Sequence, residues 1–378
     1  MQLRFGLYLA DLSHRRTSSH GIVNYALGLT TGLLSGLRDD ERLVLLVNDE
    51  VLEALQADVE SARLQSGTEV HVLQAPRNQA ERLWMDHATS MRRAVKDDLD
   101  ILHFPKGFIP FLNLTEARIV ATVHDDIPCR YSEGTWGLAH VNRQTRYFAW
   151  ALRHAVQYAD HVLTVSEFSR ARLETRQSRG HGPPISVTYQ GVTLPKRPFV
   201  SVADRNPHIL HIGSPFPHKR SLWGISTVLR QLDETDVQLR LRILGDLDDE
   251  AERVAAHPRV DRVRGTLSNE DIASEIAQAR ALLFPSEYEG FGLPPVEALC
   301  LGTPVIYART AATAEVLHSL PGGYESTDEP SFREAFNEAM QLRDGDLQLF
   351  QARLRESYSW EKVGQRTLEI YRSLVGHI

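Results

Sequence analysis

The chain has 378 residues, 42% apolar and 24% charged, with a formal net charge of −7 and a pI of about 6.2. That acidic balance argues against non-specific nucleic-acid binding, which needs a basic surface to displace phosphate counterions. Two distant cysteines, Cys129 and Cys300, argue against a disulfide framework or a CxxC-type zinc site and point to a reducing, cytoplasmic compartment.

The N-terminal stretch MQLRFGLYLADLSH meets Asp11 early and lacks a small-residue cleavage site. It reads as a first buried strand, Leu3–Leu9, and not as a signal peptide. Strand-like runs follow at Leu43–Val47, Glu69–Leu73, Ile101–Phe104, Arg118–Val123, His161–Val165 and Ile185–Thr188. A second series runs through Ile209–Ile212, Leu239–Leu244, Val260–Val263, Ala281–Phe284 and Pro304–Tyr307. Helical periods lie between them, at Val23–Leu37, Asn142–Tyr158, Ser221–Gln231 and Asp271–Ala279. Strands alternating with helices predict parallel sheets in α/β domains. At roughly 100–200 residues per domain, the length predicts two. Three prolines and no clear period mark a linker at about Leu194–Pro207. Open α/β sheets bind ligands at the carboxyl ends of their strands, so a cleft is expected there. The tail carries Trp360, Val363, Thr367, Leu368 and Tyr371 at helical spacing, with Ser359 as N-cap. No run approaches the ~18 apolar residues of a membrane span.

The stretch FPSEYEGFGLPPVEALCLGTPVI, Phe284–Ile306, carries the most chemistry. A strand ends at Phe284 and a helix is predicted over Pro294–Leu301, with prolines in its first turn. Gly290 and Gly292 allow close backbone approach and positive φ. The helix N-terminus adds N–H groups and partial positive charge, a natural anion site. Glu289 lies in the loop and Glu297 follows eight positions on. In isolation, the two would read as a helix cap and a solvated helix residue.

The stretch strongly resembles the signature of family-four retaining glycosyltransferases: a Glu, seven residues and a second Glu, with Gly-Phe-Gly after the first. The resemblance implies an α/β architecture of the GT-B type. Two Rossmann-like domains face a central cleft, and a C-terminal helix crosses back to the first domain. It divides the chain into residues 1–197 on the acceptor side, 198–357 for the nucleotide sugar, and 358–378 as the returning helix. It also implies that Glu289 faces the transferred sugar and that Gly290, Phe291, Gly292 and Leu293 meet sugar and diphosphate. Glu297 then binds the ribose.

Other segments are similar to the same family. HIGSPFPHKRSLWGI holds Ser214 in a Gly-Ser-Pro loop and Lys219 at the family's phosphate-binding lysine. His218 stands where the family has Arg and Arg220 where it has Asn, so the second phosphate ligand is open, with Arg220 the candidate. Gly21 resembles the family's glycine at the first helix, beside the donor diphosphate; a plain helix start is the alternative. His124 and Asp125 resemble a His-Asp pair that contacts the donor sugar and orients it or the acceptor; for Asp125 a turn role is the alternative. VLTVSEFSR is expected to border the cleft, with Ser166 as N-cap and Ser169 one turn later. Gly265, Thr266 and Leu267 are expected near the base. The Asp-Leu-Asp triplets at Asp98–Asp100 and Asp246–Asp248 have a metal-binding form that turns also use. The family resemblance implies no metal and no cofactor beyond a nucleotide-diphosphate sugar.

The expected function is transfer of a mannose-type hexose, preferably from a GDP-sugar, to a hydroxyl of a glycan or lipid-linked acceptor in surface polysaccharide assembly. Open alternatives are a UDP- or dTDP-sugar-using transferase, a sugar-nucleotide epimerase of the same fold, and an inactive carbohydrate-binding protein. No Rossmann GxGxxG follows the first strand and no P-loop is present. On Asn142–Tyr158, Arg143, Arg146, Trp150 and Arg153 fall opposite Val141, Thr145, Phe148 and Leu152. That face is a candidate for peripheral contact with anionic lipid at the inner membrane face, or for an acceptor diphosphate, with a solvated face as the alternative.

Overall fold

The computed structural model describes residues 2–13, 20–58, 68–74, 88–111, 113, 115–178, 181–195, 197–235, 238–265, 267–318 and 320–376. The chain forms two compact units: Met1–Thr193 with Tyr358–Ile378, and Leu194–Ser357.

The first unit holds strands β1 (Leu3–Tyr8), β2 (Glu41–Val47), β3 (Thr68–Val72), β4 (Ile101–Phe104), β5 (Arg118–Thr122), β6 (His161–Thr164) and β7 (Ile185–Val187). They form one sheet in the order β3-β2-β1-β4-β5-β6-β7, and every pairing is parallel. Apolar β-branched and leucine side chains on both faces of β4 and β6 are buried, as a sheet covered by helices on both sides requires. The core joins Val44, Leu102, Ile119, Ala121 and Val162 to Leu152 and Val156 of the helix Arg143–Tyr158.

The second unit holds β8 (Asn206–Ile212), β9 (Arg240–Leu244), β10 (Val260–Val263), β11 (Ala279–Phe284), β12 (Val305–Ala308) and β13 (Gly323–Tyr324). Their order is β10-β9-β8-β11-β12-β13, again parallel throughout. In both sheets the order reverses beside the first strand, between β1 and β4 and between β8 and β11. Such a reversal opens a crevice where the loops leaving the two strands diverge.

Among the strands, two depart most from the sequence reading. β8 begins at Asn206, inside the expected linker, because Pro207 hides it. The pairing with β11 slips between Ala279 and Ala281, so the missing N–H of proline falls at an irregularity. β13 is two residues long and starts on a glycine, too short for an alternation to be visible.

The C-terminal helix Trp360–Leu374 is capped by Ser359, whose hydroxyl accepts the Lys362 N–H at 3.3 Å. Within the first unit it lies against the helix His20–Gly36. Glycines spaced four apart make that approach possible: a Cβ on Gly28 would come 2.0 Å from the Trp360 ring, and one on Gly32 2.1 Å from its carbonyl oxygen. The Trp360 indole donates to Thr193 Oγ1 at 2.7 Å, and Arg372 closes a bidentate pair on Glu41.

Candidate active site

The chemistry gathers at the reversal point of the second sheet. β8 leads through Gly213 and Ser214 into a short turn, Pro217–Lys219, and then the helix Ser221–Asp233. The Ser221 hydroxyl ties the loop together: it donates to Ser214 O at 3.1 Å and meets Ser214 N at 3.2 Å and His211 Nε2 at 3.0 Å. Arg220, in the left-handed region at φ 51°, turns the chain into the helix.

β11 leads through Pro285–Gly292 into the helix Leu293–Cys300. Among the described residues the loops of β8 and β11 are joined by four hydrogen bonds, one of them from the Ser286 hydroxyl to His218 O at 3.2 Å. Lys219 Nζ donates to Glu289 Oε1 at 2.6 Å, Arg220 Nη1 to Glu287 Oε2 at 2.5 Å, and Glu287 N to His218 O at 2.9 Å. Lys219 keeps 31% of its side chain exposed and Glu289 12%. The ammonium is thus held by one carboxylate and still open to a second anion.

His218 occupies the place of a family arginine, but it supplies no charge. The side chain is buried, and desolvation, reinforced by the Lys219 charge, lowers its pKa to about 4. Arg220, the candidate second phosphate ligand, points its guanidinium to Glu287.

Gly292 sits at φ 89° as the N-cap of the Leu293 helix. A Cβ there would lie 2.8 Å from Thr313 Cγ2, so glycine is needed for both conformation and space. The helix start is poorer in donors than helices usually are, because Pro294 and Pro295 have no N–H. Among the described residues the Gly292 and Leu293 N–H groups have no hydrogen-bond partner. Glu297 lies one turn beyond Leu293. No side-chain or backbone donor reaches its carboxyl among the described residues, and burial alone raises its pKa to about 8. It is neutral at pH 7 in the free protein, a state its motif did not reveal.

Gly265, at φ 104° with open space where a Cβ would stand, and Leu267 follow β10. Thr266 lies outside the described residues. β10 is two strands from β8, roughly 10 Å along the same edge.

In the first unit His124 follows the carboxyl end of β5. Its Nε2 lies 2.9 Å from Pro105 O, a pure acceptor, so Nε2 carries the proton and Nδ1 accepts. Burial lowers its pKa to about 4, and the Tyr25 ring meets it edge-on at 4.6 Å. Its carbonyl accepts the Ser169 hydroxyl at 2.9 Å, while Ser166 caps the helix carrying Ser169. Tyr25 and Ser169 are thus positioning residues for His124; a SerxxSer helix start placed against a strand's carboxyl end was the available signal. Asp125 accepts the Ile127 N–H at 2.8 Å, a turn-forming bond. Asp126 is fully buried and paired with Arg176 at 2.6 Å. Gly21 lies in the first turn of its helix, with nothing within 4 Å of where a Cβ would stand. Residues 14–19 before it lie outside the described residues.

The Asp-Leu-Asp triplets have local structural roles. Asp248 caps the helix Asp249–Val254, accepting two backbone N–H groups. Asp100 accepts the Arg4 N–H at 2.8 Å, and Asp98 is left-handed at φ 47°. Among the described residues no group of three His, Cys, Asp or Glu side chains could hold a metal ion.

Two family models match the chain: Glycosyltransferase Family 4 over residues 21–196 and Glycosyl transferases group 1 over 206–341. The chain is 28% identical over 233 residues to O-antigen chain mannosyltransferase RfbU of Salmonella typhimurium, covering 59% of this chain and 61% of that protein. It is 26% identical over 309 residues to O-antigen chain mannosyltransferase B of Escherichia coli, covering 76% and 78%. The first alignment therefore spans less than two thirds of that relative. Among solved structures, sucrose-phosphate synthase of Thermosynechococcus elongatus superposes with a TM-score of 0.67 at 17% identity. It covers 99% of this chain and 100% of that one.

Proposed function

We propose, since this chain belongs to glycosyltransferase family 4 and has the GT-B fold, that it is a retaining hexosyltransferase acting on a mannose-type nucleotide-diphosphate sugar. The observation that carries the reading is the Lys219–Glu289 pair, which joins the loops of β8 and β11 where the strand order reverses. GDP-mannose is the preferred donor, supported by the O-antigen mannosyltransferase relatives. The acceptor is a hydroxyl of a glycan or lipid-linked glycan.

Breaking the anomeric C–O bond leaves its electron pair on the diphosphate. Lys219 and the Gly292 and Leu293 N–H groups are preorganised to receive that charge, and each such donor is worth roughly 3–4 kcal/mol in a transition state. Glu289 holds Lys219 in place and offers its second oxygen to a sugar hydroxyl. The acceptor oxygen bonds to the anomeric carbon, and its proton passes to the leaving phosphate oxygen on the same face. Glu287 and Glu289 each bind a cation, which favours this front-face route over a carboxylate nucleophile. His124, neutral and with Nδ1 as acceptor, is assigned by its motif to a sugar hydroxyl; it cannot act as an acid. Glu297 is assigned to the ribose. Charge is carried by protein donors, and no cofactor enters the scheme.

The test is a melting-temperature screen against GDP-, UDP- and dTDP-sugars, followed by a transfer assay with the product's anomeric configuration read by NMR. Stabilisation by GDP-mannose and an α-linked product from the α-donor are expected. No stabilisation by any nucleotide sugar, or an inverted product, would overturn the reading.

A further inference from the structure

We propose that the helix Arg143–Tyr158 and the loop before β5 form a docking surface for an anionic lipid bilayer. This rests on the helix and the loop alone and does not depend on the donor assignment. The helix has no acidic residue in 16 positions, although the chain carries a net charge of −7. Arg143 and Arg146 are exposed, and among the described residues neither has an ion-pair or hydrogen-bond partner. Arg153, by contrast, is neutralised by Glu133 at 2.9 Å, and nearby Arg118 by Asp160 at 3.1 Å.

Successive helical turns place Arg143, Tyr147, Trp150, His154 and Tyr158 along one stripe about 24 Å long. Trp150 is 45% exposed, Tyr158 69% and Phe111 42%. Trp150 stacks on His154 at 5.5 Å and meets the edge of Phe111 at 4.8 Å. His154 Nε2 anchors the stripe to the loop through Pro110 O at 3.1 Å. Ile109, Phe111, Trp150, His154 and Tyr158 line a groove of about 630 Å³. The rings are therefore held in place without being covered. The reverse side of the helix is consumed by the core through Ala149, Leu152, Ala155 and Val156, so the aromatic stripe has no internal partner to seek.

Tryptophan and tyrosine, apolar with one polar atom, favour the headgroup level of a bilayer. Uncompensated arginines beside them select a surface of negative charge. A helix with this composition lies in the interface plane and does not cross it. The acid nearest in sequence to the loop's aromatic residues, Glu116, is solvent-exposed and opposes the attraction by one charge. The two free arginines outnumber it.

Flotation of the full chain with phosphatidylcholine vesicles, with and without phosphatidylglycerol, tests the proposal. Binding only to the anionic vesicles, reversed by raised salt, is expected. Arg143→Gln/Arg146→Gln, at exposed unpaired positions where folding is not at stake, should lower the partition coefficient about thirtyfold. A blue shift of tryptophan fluorescence on binding should disappear in Trp150→Phe. Wild-type protein that fails to float, or a double variant that floats equally well, refutes the proposal. It is also refuted if size-exclusion shows a dimer that Trp150→Ala dissolves, or if a soluble glycan quenches Trp150 without vesicles.

Discussion

Replacing Glu297 by glutamine removes an ionisable group whose environment opposes its charge, while keeping its shape. In the unfolded chain this carboxyl ionises near 4.5; in the fold burial raises it to about 8. Between those values the folded state holds a proton that the unfolded state has released. The stability associated with that proton is therefore complete below pH 4.5 and is lost as pH rises to 8. The slope is about 1.4 kcal/mol per pH unit where the two states differ by a full proton, and the whole change is about 5 kcal/mol. Glu297→Gln has no such slope. Urea denaturation of wild type and variant from pH 5 to 9 should therefore give a stability difference that tilts towards the variant with rising pH. Any constant offset from the amide's own hydrogen bonding leaves the tilt unchanged. A difference that is flat from pH 5 to 8.5 would show that the carboxylate is ionised in the fold and would refute the reasoning. The same protonation has a consequence for binding. Ribose hydroxyls donating to the carboxylate favour its charged form, so GDP binding at pH 7 should release protons, visible as buffer-dependent enthalpies in calorimetry.

Lys219→Ala should cut kcat by 10²–10³-fold, the usual cost of one preorganised donor. Its melting temperature should change little, because the pair is partly exposed; near-wild-type turnover would dismiss the lysine. Gly292→Ala should destabilise the second unit by about 1–2 kcal/mol from the left-handed conformation alone, with added strain against Thr313, and should weaken donor binding in a titration. Gly32→Ala should prevent the C-terminal helix from seating, since the new methyl would overlap the Trp360 carbonyl. Hydrogen exchange over residues 360–374 is the check. His103, His124, His211 and His218 are all buried with pKa values lowered to about 3 or 4. The unfolded chain takes up those protons near 6.5, so the melting temperature should fall as pH drops from 6.5 towards 4.

The donor loop was legible in the sequence because its requirements are local. Gly292 and Pro294 state a left-handed turn into a helix start, and the strand before them is a continuous apolar run. Residues whose role depends on distant partners read otherwise. His218 stood at a family arginine position and Arg220 was the candidate second phosphate ligand, but one is neutral by burial and the other is tied to Glu287. Nothing within a few residues of either announces that. The glycines at 28, 32 and 36 were visible at a spacing of four, yet only the packed C-terminal helix gives that spacing a meaning.

By itself the sequence determined the α/β class and the order of the longer strands, because hydrophobic period, caps and turn residues act over a few positions. It also determined the family, because the Glu-to-Glu motif is contiguous. Tertiary structure alone decided which charges meet. Strand order sets β8 beside β11 and brings Lys219 to Glu289, 70 residues away. It likewise brings His103 within 2.5 Å of the Tyr371 hydroxyl across 268 residues. Protonation followed the same logic: Glu297 is neutral and His124 uncharged because of what surrounds them in space, and desolvation is a property of the packed fold.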